Sequence, residues 1–284
     1  MSSLTENDRD VRSRYLDLMR RNLTRYGMHE RMPEGWPLRR RLLFKTVNRL
    51  FVRAHAHRLA NATPNALQSP IVQRKRDLGL DWPAEAETMI GMERLTSLQH
   101  CVETVLADDI PGDLIECGVW RGGACILMRA VLAAYGDEKR CVWVADSFQG
   151  LPHPDAANYK ADKWLNASIF AGILGVPEAE VRANFQRYGL LDDQVRFLHG
   201  WFKDTLPDAP IDRLAVLRLD GDLYESTIQA LDALYPRLSP GGFCIIDDYE
   251  IAACRKAVAD YRASHGVSAE IVDVDGTGAF WRKE

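Results

Sequence analysis

Residues 214–249 read LAVLRLDGDLYESTIQALDALYPRLSPGGFCIIDDY, and this stretch decides the fold. Two apolar runs, LAVLRLDG at 214–221 and GFCIIDDY at 242–249, flank one helical candidate, Ser226–Leu238. Near-continuous apolar runs suit parallel strands covered on both faces, and parallel neighbours need a crossover that a helix supplies. The same rhythm recurs upstream. LIECGV at 114–119, CVWVADSF at 141–148 and VRFLHG at 195–200 alternate with helical candidates at Ala124–Tyr135 and Pro177–Tyr188. Downstream, Ile251–Ser264 is a further helical candidate, followed by AEIVDVD at 269–275 and GAFWRK at 278–283. No helix fits between those last two runs, so they predict a closing antiparallel hairpin around Asp275-Gly276. The pattern predicts an open α/β sheet rather than a dinucleotide fold, which would end on a sixth parallel strand.

Composition narrows the class. The chain has 284 residues, 46% hydrophobic and 27% charged, enough to bury a core and unlike disordered or collagenous sequences. No run approaches the roughly 20 apolar residues of a membrane span. The first residues, MSSLTENDRDVRSRYLDLMRR, hold no secretory apolar core, so a cytoplasmic protein is expected. The six cysteines form no CxxC or zinc pattern and read as buried reduced thiols. Net charge is −4, but residues 1–80 carry +10 and the remainder −14. That asymmetry divides the chain into a basic helical N-terminal extension, 1–80, and a body, 81–284. In the extension, Leu42, Leu43, Val47, Leu50, Phe51 and Leu59 recur at helical spacing among cations. This amphipathic segment is expected to dock on an acidic surface of its own chain or of a second copy, before Pro64, Pro70 and NATPNALQSP break the pattern.

The chemistry sits where strands end. The first strand runs into Glu116-Cys117-Gly118-Val119-Trp120-Arg121-Gly122-Gly123, a glycine turn that lets backbone approach a ligand. The second strand ends at Asp146, where a carboxylate can accept both hydroxyls of a ribose. The spacing Glu-x-Gly-x-x-x-Gly favours S-adenosyl-L-methionine over a dinucleotide. Strands four and five end in Asp220-Gly221-Asp222 and Asp247-Asp248. Neighbouring strand tips lie about 5 Å apart, and carboxylates so close repel unless a cation joins them. Oxygen ligands alone suit Mg²⁺, Mn²⁺ or Ca²⁺. Asp222 is also placed to cap the following helix.

These residues resemble the macrocin O-methyltransferase family, also called the TylF/MycF type, which modifies sugars of macrolides and related antibiotics. The similarity runs from about Tyr15 to the C-terminus and is densest in DWPAEAETMIGMERL, PGDLIECGVWRGGACILMRAVL, VWVADSFQGLP, RLDGDLYEST and PGGFCIIDDY. It implies a class I Rossmann-like methyltransferase fold, a mostly parallel seven-stranded sheet with a C-terminal antiparallel hairpin. It implies Mg²⁺ on Asp220, Asp247 and Asp248, with Asp220 also the general base. It implies cofactor contacts from Glu116, Gly118, Asp146 and Ser147, from Met89 and Ile90, and from Gly200-Trp201 at the adenine. In that family the N-terminal region covers the substrate and joins protomers, which implies a homodimer or higher assembly.

The expected reaction is methyl transfer to a sugar hydroxyl of a glycoside, with a catechol or phenol as the alternative acceptor. His153 and His199 rival Asp220 as base. The loop Pro152–Trp164 has the composition of a cover. A nicotinamide oxidoreductase lacks its fingerprint here. A nucleic-acid-binding protein would explain the basic extension and leave the acid clusters idle, so neither nucleic acid nor membrane is an expected partner.

Overall fold

The computed structural model describes residues 6–28, 37–54, 58, 70–155, 157–163 and 173–284. The connector at 61–69, Leu59, Ala156 and Trp164 therefore lie outside the described residues. The elements are α1 (Glu6–Leu23), α2 (Leu38–Ala54), α3 (Ile71–Asp77), α4 (Met92–Ala107), β1 (Asp113–Cys117), α5 (Gly123–Tyr135), β2 (Val142–Asp146) and α6 (Glu178–Arg187). They continue as β3 (Val195–His199), α7 (Phe202–Thr205), β4 (Leu214–Leu219), α8 (Tyr224–Leu234), β5 (Leu238–Ile246), α9 (Ala252–His265), β6 (Val272–Asp273) and β7 (Ala279–Arg282).

One sheet of seven strands forms in the order β3-β2-β1-β4-β5-β7-β6. β1 to β5 pair in parallel, and β7 pairs antiparallel with both β5 and β6. This is the class I Rossmann-like arrangement with the hairpin at one edge. The interior strand β4 is buried along its whole length, as its unbroken apolar run requires. Pro236 lacks an N–H and ends α8 early. A 3₁₀ turn at Tyr235–Arg237 follows, and β5 starts at Leu238 rather than at 242.

Register fixes where the chemistry lies. Cys117 is level with both Ala145 and Leu219, and Leu219 is level with Ile246. The next residues, Gly118, Asp146, Asp220 and Asp247, thus share one edge. Asp220 N–H donates to Cys117 C=O at 2.8 Å and Asp247 N–H to Leu219 C=O at 2.8 Å, carrying the ladder into the site.

One face of the sheet is covered by a core that includes Leu16, Met19 and Leu23 of α1 together with Leu95, Leu98 and Leu127. On α2 the docked face is Phe44 and Val47, packed with Trp82, Ala84 and Ile173. Val47 thus faces the body of the chain beside Phe44, while Leu42, Leu43 and Leu50 of the expected stripe stay on the surface; the Phe51 side chain lies outside the described residues. Asn48 anchors that orientation by donating to Trp82 C=O at 3.1 Å. All six cysteines are free, five of them buried. Among the described residues no helix is long and apolar enough to cross a membrane.

Candidate active site

The turn after β1 is built around Gly118 at φ +87°. A Cβ there would lie 1.8 Å from Asp220 C=O, so only glycine lets β1 and β4 tips approach. The turn then brings Val119 N–H onto Asp146 Oδ2 at 2.7 Å, while Phe148 N–H donates to Oδ1 at 2.7 Å. Asp146 is held between two backbone donors, and burial raises its carboxyl above the ordinary aspartate range against the pull of those N–H groups.

A cavity of about 370 Å³ opens at this edge, within the size range of small-molecule sites. Of the residues expected from sequence, Met89, Gly118, Asp146, Ser147, Trp201 and Asp220 line it. Ile90, Glu116, Gly200, Asp247 and Asp248 do not reach that wall. Ile90 packs in the core. Gly200, at φ +147°, donates its N–H to Asp146 C=O at 2.9 Å and turns Trp201 into the cavity. Glu116 is buried behind the turn, accepting from Cys125 N–H at 3.1 Å and pairing with Arg218. Arg218 and the start of α5 engage its oxygens, so Glu116 supports the turn from behind.

Asp220, Asp247 and Asp248 each bring one carboxylate oxygen to within 4.8 Å of the others. Guanidinium cations join these acids. Arg218 donates to Asp220 Oδ2 at 3.0 Å and to Asp247 Oδ1 at 2.5 Å. Arg94 donates to Asp247 Oδ2 at 2.5 Å and pairs with Asp275 at 3.2 Å, and Arg58 meets Asp275 at 2.7 Å. Six carboxylates, counting Glu116 and Asp222, thus face three guanidiniums. The surplus is negative. Burial, reinforced by the neighbouring acids, pushes Asp220 up to about 6, Asp222 up to about 7 and Asp248 well above its ordinary value. A cluster of hard oxygen donors with unbalanced negative charge fits a divalent cation.

Asp222 does not cap the following helix. α8 has Leu223 at its N-cap, and its first two N–H groups are taken by Asp162 from another segment. Asp222 instead lines the cavity at φ +57°, a conformation uncommon outside glycine. Of the two rival histidines, His153 lines the cavity. His199 faces solvent outside the cavity wall, 2.8 Å from Glu178 and with its ring tilted 58° against that of Phe148.

Sequence reasoning passed over Trp120, Lys203, Glu225, Ser226 and Gln229 in the wall. None sits in a pattern that marks it out, although Glu225 and Ser226 follow the Asp220-Gly221-Asp222 tip directly.

The Macrocin-O-methyltransferase (TylF) family matches residues 12–283 of the chain. A tetracenomycin-series 4'-O-methyltransferase of Streptomyces olivaceus, whose named acceptor carries a dimethoxyrhamnosyl group, is 65% identical over 207 residues, 73% of this chain and 79% of that one. Mycinamicin III 3''-O-methyltransferase of Micromonospora griseorubida is 56% identical over 218 residues, 76% of this chain and 86% of that one. Among solved structures, the O-methyltransferase NovP aligns with a TM-score of 0.80 at 44% identity, covering 96% of this chain and 99% of that one.

Proposed function

Because the chain belongs to the Macrocin-O-methyltransferase (TylF) family, we propose that this O-methyltransferase moves a methyl group from S-adenosylmethionine to a sugar hydroxyl of a glycosylated antibiotic. The observation that carries the reading is one cavity walled by the Gly118–Asp146 turn and by the Asp220 acid tip. A cradle for a ribose and, through Asp220, one end of a cluster for a cation then meet the same volume. The rhamnosyl-bearing acceptor named for one relative, with the mycinamicin named for another, supports the acceptor class.

In this reading Asp146, with Ser147 beside it, accepts from the ribose hydroxyls, and the Gly118 turn gives the donor its close backbone approach. Met89 and Trp201 supply apolar walls. Asp220, Asp247 and Asp248 would hold Mg²⁺, which when bound lowers the pKa of an acceptor hydroxyl and fixes its direction. The acceptor oxygen must come to about 3 Å from the methyl carbon, opposite the sulfur. Asp220 takes its proton, an effect worth roughly 10²–10⁴-fold in rate. A second assignment of the base, to Asp222, is favoured by geometry: Asp220 already accepts from Arg218 at 3.0 Å, whereas Asp222 lines the cavity without an arginine partner among the described residues. Residues 1–80 form the extension that covers the acceptor and joins protomers of a cytoplasmic homo-oligomer, and residues 81–284 form the catalytic body.

The test uses labelled S-adenosylmethionine against a panel of glycosides and phenols, before and after exhaustive chelation. Turnover should appear on a glycoside, vanish on chelation and return with Mg²⁺. S-adenosylhomocysteine binding, followed by calorimetry, should persist in the metal-free protein. Full turnover after chelation would remove the metal, and turnover on phenols alone would replace the acceptor.

A further inference from the structure

Asp162 lies on the segment that follows β2, in a 3₁₀ turn at Lys160–Asp162, and its exposure is 0%. An aspartate so buried loses its hydration and persists only when fully hydrogen-bonded. Its partners are distant in sequence. Tyr224 N–H donates to Oδ1 at 2.7 Å and Glu225 N–H to Oδ2 at 3.0 Å. These are the first two residues of α8, where unpaired N–H groups and the helix dipole both favour an anion. The helix cannot cap itself, because Leu223 at its N-cap is buried and has no side-chain acceptor. Its cap is supplied by the segment that follows β2.

The two joined segments are the ones that enclose the site. Leu151, Pro152, His153 and Asp155 line the cavity from the side of Asp162. Glu225, Ser226 and Gln229 line it from α8, directly after Asp220 and Asp222. The tie is braced on both sides. Tyr159 N–H returns to Asp155 C=O at 2.7 Å, and the Tyr159 ring meets the Tyr224 ring at 6.0 Å between centroids. Displacing the 151–163 segment would therefore uncap α8, and fraying α8 would release that segment.

We propose that Asp162 is a positioning residue for methyl transfer: its carboxylate locks the wall after β2 onto the start of α8, so that the donor cavity and the acid tip keep one geometry. The inference rests on the O-methyltransferase reading for its consequence, whereas the lock itself does not. Asp162→Asn keeps one acceptor oxygen and Asp162→Ala keeps none. Hydrogen exchange of the Tyr224 and Glu225 amides should quicken in that order, each lost cap bond giving about fivefold to tenfold. S-adenosylhomocysteine affinity, by calorimetry on the full chain, should weaken in the same order by a similar factor.

Unchanged exchange in Asp162→Ala would overturn the lock. Faster exchange with wild-type affinity would overturn the positioning role and leave a helix cap alone. If Asp162→Ala fails to fold, Asp162→Asn carries both readouts. If the wild-type protein itself binds no S-adenosylhomocysteine, the methyltransferase reading falls while exchange still judges the lock.

Discussion

At the tip of β2, Asp146 is held by two backbone N–H groups, from Val119 and Phe148, both within 27 residues. At the tips of β4 and β5, Asp220 and Asp247 are held by guanidiniums, one of them from Arg94, 153 residues away. Both regions lie on the same sheet edge and present carboxylates to neighbouring ligand space. The first is preorganised by a local turn and needs no charge to complete it. The second is a buried charge lattice in which Arg218 and Arg94 are each shared among several acids. A local turn tolerates change at its neighbours, whereas a shared lattice transmits every substitution to all its members.

The contrast is sharpest at Arg218, which is 2% exposed and touches Glu116, Asp220 and Asp247. Arg218→Met should cost about 3–5 kcal/mol of stability, because it strands buried carboxylates rather than removing a matched pair. Denaturant melts of the chelated protein measure this. A loss below about 1 kcal/mol, the scale of an exposed pair, would mean that the lattice is solvent-screened.

Within the lattice, Asp220→Asn keeps volume and removes a cation ligand and a base together. Turnover should fall by at least about 10²-fold, with S-adenosylhomocysteine affinity kept within a few-fold. Asp222→Asn is the paired measurement. Near wild-type turnover in the Asp220 variant, with collapse in the Asp222 variant, would move the base two residues along the chain.

The two regions also differ in how far sequence reveals them. The parallel strands, the closing hairpin and the acids at the tips were legible because buried parallel strands must be continuous apolar runs and their ends carry the functional groups. Gly118 was legible because a strand-to-helix turn advertises glycine. The lattice was not. The links Arg94–Asp247, Arg94–Asp275 and Arg58–Asp275 join residues with no shared periodicity, so no local pattern encodes them. Asp222 read as a helix cap because an aspartate one or two residues before a helix usually is one; here Asp162 had taken the place. Which face of α2 meets the body was not legible, because leucines exposed on a basic helix carry the same spacing as buried ones.

The local turn offers a smaller effect. Asp146→Asn replaces one acceptor oxygen by an NH₂ group, which must face a backbone N–H whichever way it is turned. Stability and S-adenosylhomocysteine affinity should each fall by about 1–3 kcal/mol, the range for leaving a buried donor unmatched. The metal affinity of the lattice should not change. A parallel loss of Mn²⁺ binding would show that the two regions are coupled and break the contrast.

Glu116 stands between the regions, and its titration gives the finest test. Burial, then the nearby Asp220 and Asp247, push its carboxyl up to about 7 from 4.5, against the pull of Arg218. The folded protein therefore holds this proton more tightly than the unfolded chain does. The stability that Glu116 contributes is fully present below about pH 4.5 and is lost as pH rises through about 7, with a slope of at most about 1.4 kcal/mol per pH unit. Glu116→Gln cannot titrate and keeps the shape of the protonated acid. Subtracting its stability profile from that of the wild type, both metal-free, cancels the other groups to first order. The difference should fall between pH 4.5 and 7 and level off above. A difference that rises with pH over that interval would mean that the ion pair with Arg218 outweighs burial, so that the carboxylate belongs wholly to the lattice and not to the turn behind which it lies.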